Sequence, residues 1–573
     1  MAHIHKKIKK GRPYYYIRET ARVNGKPRVI NQVYLGSPER IMKMAAGELS
    51  GPDRIQIQEF GALWLANLMD SEVDIAGIVD SVVPRSAREK GPSVGEYFLY
   101  GVLNRMVDPR SKRALPEWYS STAVQHIRPV DINALTSQRF WKKWDRVDAN
   151  QLREIASRFF QRIAELEPGT SDCFLFDTTN YYTFMASDTP SDLARRGKNK
   201  EGRNWLRQVG VALLVSRKSK LPLYYREYEG NRHDSKLFLR VMEELFSVMN
   251  TLSGRESDMT LVIDKGMNSE ENFALIDANP HVHFITTYST YYAEDLIHVD
   301  LNKFQPVDTD KNRVLREQGR EDDQLVAWRT SGAYWGQDRT VVVTYNPRTA
   351  TRQRYGFEKK LLRLGEELAL MRAKVNGGER NWRNRDRVWR RYVELCAGLH
   401  LPDNLYKMEL YFDNGRLRMS CRKNHYRISR YIDRFGKNIL ITDNTSWTTD
   451  EIVRASLDRY GVESNFRQSK DTGLVSLMPL RHWTDSKIRC HIFTCIVALT
   501  YLRRIELMAR RAGLEMSSAT IMDTMHRLHS CLVWNKGRRK PERLLEEPSV
   551  KQAAILKAFG YYIDGGVLQR AGE

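Results

Sequence analysis

Three carboxylates stand out for the residues around them. Asp177 follows the apolar run Phe174-Leu175-Phe176, and Asp264 follows Leu261-Val262-Ile263. Glu463 lies in a helical pattern, between Arg459 and Lys470. An ionised carboxylate buried without a partner is costly, so each needs a cation or a set of hydrogen-bond donors. In open α/β sheets functional groups gather at strand ends. If the two apolar strands are neighbours, Asp177 and Asp264 repel unless a cation bridges them. Carboxylate oxygens suit hard ions such as Mg²⁺ or Mn²⁺. Two such ions, one on the attacking oxygen and one on the leaving oxygen, are the apparatus of phosphodiester chemistry.

The helical pattern adds the third member. Arg459, Glu463, Phe466 and Lys470 are spaced four, three and four apart, which places them on one helix face. An exposed Arg–Glu pair one turn apart would look the same. Val462 and Phe466 argue instead for a face packed on a sheet, with Glu463 near the aspartates and Arg459 and Lys470 at phosphates.

The elements that must position these groups follow from apolar periodicity. Residues 173–184 read as a buried strand, with Asp177 at the end of its apolar run, and 208–231 as two strands around the turn Ser216–Leu221. An amphipathic helix (235–250), the strand before Asp264, a further helix and the strand His281–Tyr288 come next. The order β-β-β-α-β-α-β predicts a mixed sheet with helices. Residues 291–435 combine strands with long charged helices and read as an inserted α+β domain. Strand character returns near 438–444, followed by a helix over 449–471. The expected division is a basic β-hairpin region (1–50), a helical DNA-binding region (51–170), two halves of an α/β domain (171–290 and 436–505) around the insertion, and a basic helical region (506–573).

Composition points to a partner. The 573 residues hold 92 Lys and Arg against 70 Asp and Glu, a formal charge of +22. Such an excess suits a polyanion, nucleic acid first. At the N-terminus, Tyr14–Thr20 and Val29–Leu35 flank Asn24-Gly25, a hairpin signal. Lys6, Lys7, Lys9, Lys10 and Arg12 make its leader basic, as for a ribbon on DNA phosphates. In 380–391, Trp382 and Trp389 stand among arginines and are further candidates for DNA contact. Asp188, Glu229 and His233 are weaker candidates near the site. Six cysteines without a Cys-x-x-Cys pair argue against a zinc site and for reduced thiols. No apolar run is long enough to span a membrane, so a soluble, cytoplasmic protein without a membrane partner is expected.

Taken together, these motifs resemble the DDE transposases of bacterial insertion sequences, in the group with a Tyr-x2-Arg-x3-Glu-x6-Lys signature (insertion-sequence family four and relatives). Arg459, Glu463 and Lys470 match that spacing, with Ser456 at the Tyr position. Asp264-Lys265-Gly266-Met267 resembles the family's Asp-Arg-Gly-Met, and Asp177-Thr178-Thr179 its Asp-x-Thr. The stretches 230–238 and 478–499 resemble the segments before its first helix and after its catalytic helix. The resemblance implies a ribonuclease H-like catalytic domain interrupted by an insertion before the Glu. It implies Asp177, Asp264 and Glu463 as ligands of Mg²⁺ or Mn²⁺, in two ions, and Arg459, Lys470 and Lys265 at phosphates. It also implies strand cleavage at terminal inverted repeats, attack of the freed 3′-OH on target DNA, and a homodimer on paired ends. A silent DNA-binding derivative, or a nuclease that cuts without joining, are the alternatives.

Overall fold

The computed structural model describes residues 2–9, 11–23, 26–46, 54–86, 88–168, 172–197, 202–232, 234–253, 258–535 and 540–572. The chain divides into two compact units. One comprises 1–151, 472–476 and 497–573, the other 152–471 and 477–496.

In the first unit the helix Val94–Val107 is buried at every position but Glu96. A helix apolar all round belongs in a core. Its start is set by a capping box: Glu96 N–H donates to Ser93 Oγ at 3.1 Å, and Ser93 N–H donates to Glu96 Oε2 at 2.7 Å. Three strands, Ala2–Lys9, Arg12–Val23 and Lys26–Gly36, form an antiparallel sheet. The expected turn residues Asn24 and Gly25 lie outside the described residues. The C-terminal region, read as helical, also contains strands: His529–Trp534 pairs with both Arg54–Glu59 and Glu542–Leu545.

Glu59 closes that last sheet against the helix Gly61–Val73. Its Oε1 accepts the Ala62 N–H at 2.9 Å, while Oε2 is buried without a hydrogen-bond partner. Burial pushes its carboxyl up to about 8. The folded chain therefore holds a proton there that the unfolded chain has released. The resulting stability is complete below the unfolded value near 4.5 and is lost as pH rises through about 8. Glu59→Gln is expected to remove this slope. Melting temperatures of wild type and variant, compared between pH 5 and 8, should diverge in favour of the variant as pH rises, and parallel curves would refute it.

The second unit is built on one large mixed sheet. Its main strands are β1 (Cys173–Thr183), β2 (Arg207–Ser216), β3 (Pro222–Glu229), β4 (Met259–Ile263), β5 (Val282–Tyr288), β6 (Val326–Tyr334), β7 (Gln337–Tyr345) and β8 (Lys437–Thr442). They lie in the order β3-β2-β1-β4-β5-β8-β7-β6. β1, β4 and β5 run parallel, and every other neighbouring pair of these strands is antiparallel. From Gln208 to Ser216, β2 is buried at every residue, as a strand covered on both faces must be. Helices α1 (Asp234–Ser253) and α2 (Glu270–Asp277) cover one face. There Leu237, Phe238 and Val241 pack with Phe174 and Phe176. The expected strand and helix order therefore holds from β1 to β5.

Within 291–435, β6 and β7 join this sheet through β8, whereas α3 (Pro347–Asn376), α4 (Arg385–Gly398) and the hairpin Tyr406–Asp413/Arg416–Lys423 enclose a second core. Leu364, Leu368, Val388 and Tyr392 form its centre. The six cysteines are free, four of them buried. Among the described residues no helix is long and apolar enough to cross a membrane.

Candidate active site

Asp177 does not end its strand. β1 runs on to Thr183, and Asp177 pairs with Leu213 of β2 within it. What ends is the ladder on the other side. β1 and β4 pair in parallel with Leu175 opposite Val262. Two residues further in that register, Asp177 stands level with Asp264. There β4 has already ended at Ile263, and the chain turns into a single 3-10 turn, Lys265–Met267. The two strands part at the level of the carboxylates, and side chains can gather in the gap.

The helix expected over 449–471 is two helices, α5 (Thr449–Asp458) and α6 (Tyr460–Ser469), joined at Arg459. The joint is tightened: Val462 N–H donates to Arg459 O at 3.1 Å. Gly461 explains both features. It disfavours helix, and a Cβ there would lie 3.1 Å from Leu175 Cδ1, so its absence lets α6 settle closely on β1. Val462 and Phe466 are buried below the helix. The fully buried Tyr181 of β1 exchanges a 2.7 Å hydrogen bond with Ser469 Oγ, and Asn465 Nδ2 donates to Lys220 O at 3.1 Å. These ties hold α6 on the sheet with Glu463 at its exposed edge.

The carboxylates converge on Arg459. Its Nη1 donates to Asp264 Oδ1 at 2.5 Å and its Nη2 to Glu463 Oε1 at 3.3 Å. Burial works against its charge, yet Asp264, then Asp177 and Glu463, hold the guanidinium above its ordinary value. Asp177 is buried, and its Oδ1 accepts the Thr178 N–H at 2.7 Å. The Asp264 turn is pinned from behind. Asn268 accepts from Thr286 Oγ1 at 2.7 Å and donates to Thr287 O at 3.0 Å, while Asn272 Nδ2 donates to Met267 O at 2.6 Å. The sequence reading missed Tyr181, Ser469 and Asn268. Their one signal is position, since Tyr181 and Asn268 each lie four residues beyond an aspartate of the pair.

Among the described residues, no three His, Cys, Asp or Glu side chains stand together closely enough to hold a metal ion. The donor set nonetheless suits one. Three carboxylates act on a single cation, and all their donors are oxygen. Arg459 occupies the centre of that set and would have to withdraw before a divalent ion could share it.

The remaining candidates are dispersed. Lys470 caps α6, with Nζ 5.6 Å from the Tyr181 ring centre, and Lys265 is exposed beside Asp264. In the N-terminal sheet Lys7 pairs with Tyr14 and Lys9 with Arg12, so these cations share a face with the clustered rings of Tyr14, Tyr16 and Tyr34. Lys6, paired with Tyr15, points to the opposite face, and Lys10 lies outside the described residues. Trp382 packs against the second core with Arg391 4.2 Å from its ring centre, whereas Trp389 is 47% exposed. Trp335 stacks on Phe273 at 3.9 Å, which makes it part of the core. Glu229 is paired with Arg232 at 2.8 Å, Asp188 is exposed, and His233 lies outside the described residues.

Comparison with known proteins bears directly on these residues. The family described as "Transposase DDE domain" matches residues 183–501. That range contains Asp264, Arg459, Glu463 and Lys470 and begins just beyond Asp177. No curated protein matches the chain. Among solved structures, a piggyBac transposase synaptic complex with hairpin DNA is 9% identical, with a TM-score of 0.37, over 83% of this chain and 82% of that one. A Mos1 transposase paired-end complex with the left transposon end is 10% identical, with a TM-score of 0.15, over 37% of this chain and 64% of that one. Both structural likenesses are too slight to carry an argument. The family match spans more than half of the chain and takes in two of the three carboxylates around Arg459, so this chain belongs to the transposase DDE domain family.

Proposed function

We propose that this transposase cuts DNA at the ends of a bacterial insertion sequence and joins the freed 3′-OH to target DNA. The observation that carries the reading is the convergence of Asp177, Asp264 and Glu463 on one cationic centre. These side chains would hold Mg²⁺ or Mn²⁺, in two ions. When bound, the metal supplies charge neutralisation for the attacking and leaving oxygens of the phosphodiester. Arg459, displaced from the carboxylates, has the planar fork that grips a phosphate. Lys470 and Lys265 add positive charge on either side. The strand order β3-β2-β1-β4-β5 supports a ribonuclease H-like core, and the second core within 291–435 supports an insertion. The Arg-x3-Glu-x6-Lys spacing supports membership of insertion-sequence family four or its relatives. The basic N-terminal sheet supports binding of double-stranded terminal repeats, with a homodimer on paired ends.

The test is cleavage and strand transfer with Mg²⁺ or Mn²⁺, on DNA carrying the ends that flank the gene. Nicked ends and joined products that require the metal are the expected result. Nicking without joined product would make the protein a nuclease. End binding without cutting would make it a silent binder, with Ser456 and Lys265, the departures from the family motif, the first suspects.

A further inference from the structure

Three chain segments meet at Thr183, the last residue of β1. It is fully buried, pairs with Arg207 of β2 and forms a parallel bridge with Leu480. Leu480 N–H donates to Tyr182 O at 3.0 Å. From this junction each segment carries one large ring into solvent: Phe184 is 60% exposed, Trp205 67% and Trp483 54%. The Tyr182 ring centre lies 5.5 Å from that of Phe184 and 4.7 Å from the Arg203 guanidinium. Single exposed aromatics are ordinary, but three leaving adjoining segments are more than folding alone requires.

The charge around these rings is positive. Arg196, Arg203 and Arg481 have no carboxylate partner among the described residues. Of the nearby acids, Asp192 pairs with Arg195 at 2.9 Å, and Asp485 accepts from Ser191 Oγ and from the backbone N–H groups of Asp192 and Leu193. Asp188 is exposed. Aromatic faces beside unpaired guanidinium groups suit a chain that offers flat rings and phosphates together. In a duplex the base faces are stacked on one another and closed to such a surface.

We propose that Phe184, Trp205 and Trp483, with Arg196, Arg203 and Arg481, bind unpaired DNA by stacking on its bases. Phe184 lies seven residues beyond Asp177 along an extended strand, roughly 23 Å at the rise of a β-strand. That distance is about seven nucleotides of one strand at stacked spacing. The surface is therefore spaced to hold single-stranded DNA a short way from the phosphate being cut. This inference rests on the function proposed above.

The test needs no metal and no cutting. Affinity of the full chain for a fluorescent oligothymidine is measured by anisotropy in EDTA, beside a duplex of the same length. Phe184→Ala, Trp205→Ala and Trp483→Ala are each expected to weaken single-strand binding by at least about fivefold and duplex binding by less than about twofold. Trp205→Phe, which keeps a ring, should retain most of the affinity, whereas Phe412→Ala, an equally exposed ring on another hairpin, should change nothing. No oligothymidine binding by wild type, unchanged affinity in the three alanine variants, or an equal loss on duplex would each overturn the inference. Wild-type cutting and joining alongside any of those results would overturn it alone. Ring-dependent single-strand binding without metal-dependent cutting would leave it standing and overturn the proposed function instead.

Discussion

Asp264→Asn is expected to slow DNA strand cleavage by more than about 100-fold while leaving end binding within twofold of wild type. Outer-sphere partners of metal ligands already cost about 10–100-fold when removed, and a ligand carboxylate should cost more. The substitution keeps the shape and one acceptor oxygen, so the hydrogen bond from Arg459 Nη1, now 2.5 Å, weakens without leaving a hole. It also removes a negative charge, which by itself favours DNA binding, so weaker binding cannot explain a lost rate. Single-turnover cleavage on denaturing gels, with end affinity measured beside it, separates the two quantities. Asp177→Asn and Glu463→Gln should behave in the same way. Full cleavage by any one of the three would remove that residue from the proposed metal set.

Arg459→Ala should move two measurements in opposite directions. In the DNA-free protein the guanidinium competes with any cation for the carboxylates, binding Asp264 and Glu463 directly and Asp177 through its charge. A unit charge about 4 Å away is worth about 1 kcal/mol in water and about 4 at an intermediate dielectric. Arg459 is partly exposed, so the lower figure applies, and its removal should tighten Mn²⁺ binding by roughly fivefold. Cleavage should fall by about 100- to 1000-fold, the usual loss when a donor to a developing phosphate charge is deleted. Mn²⁺ binding followed by electron paramagnetic resonance reads the first effect, and single-turnover cleavage the second. Arg459→Lys should restore the competition but not the rate, because an ammonium lacks the planar fork. Unchanged Mn²⁺ affinity in the alanine variant would mean that the guanidinium does not occupy the carboxylates in solution.

Much of this site is local in character, and that part is legible in the sequence. The apolar runs before Asp177 and Asp264 declare buried strands, because nothing but a core accommodates Phe-Leu-Phe and Leu-Val-Ile without alternation. The four, three, four spacing of Arg459, Glu463, Phe466 and Lys470 declares a helix face, because helical geometry is set by the backbone. Three features were read differently from what the fold contains. Asp177 looked like a strand end, yet β2 continues to pair with β1 as far as Thr183. The 449–471 helix looked continuous, yet the approach of Gly461 to Leu175 goes with a joint at Arg459. Residues 291–435 looked like one body, yet β6 and β7 belong to the large sheet and only α3, α4 and the hairpin have a core of their own.

The sequence by itself determined the strands and the helical face around the site and the chemical groups they carry: two aspartates after apolar strands, and a base, an acid and a second base at helical spacing. Only the tertiary structure decided that β1 and β4 are parallel neighbours in a register that brings Asp177 level with Asp264, and that Arg459 stands among all three carboxylates. The reason is physical. Strand and helix preferences act over a few residues, whereas register, strand order and the closing of α6 onto β1 are settled by packing between segments far apart in the chain.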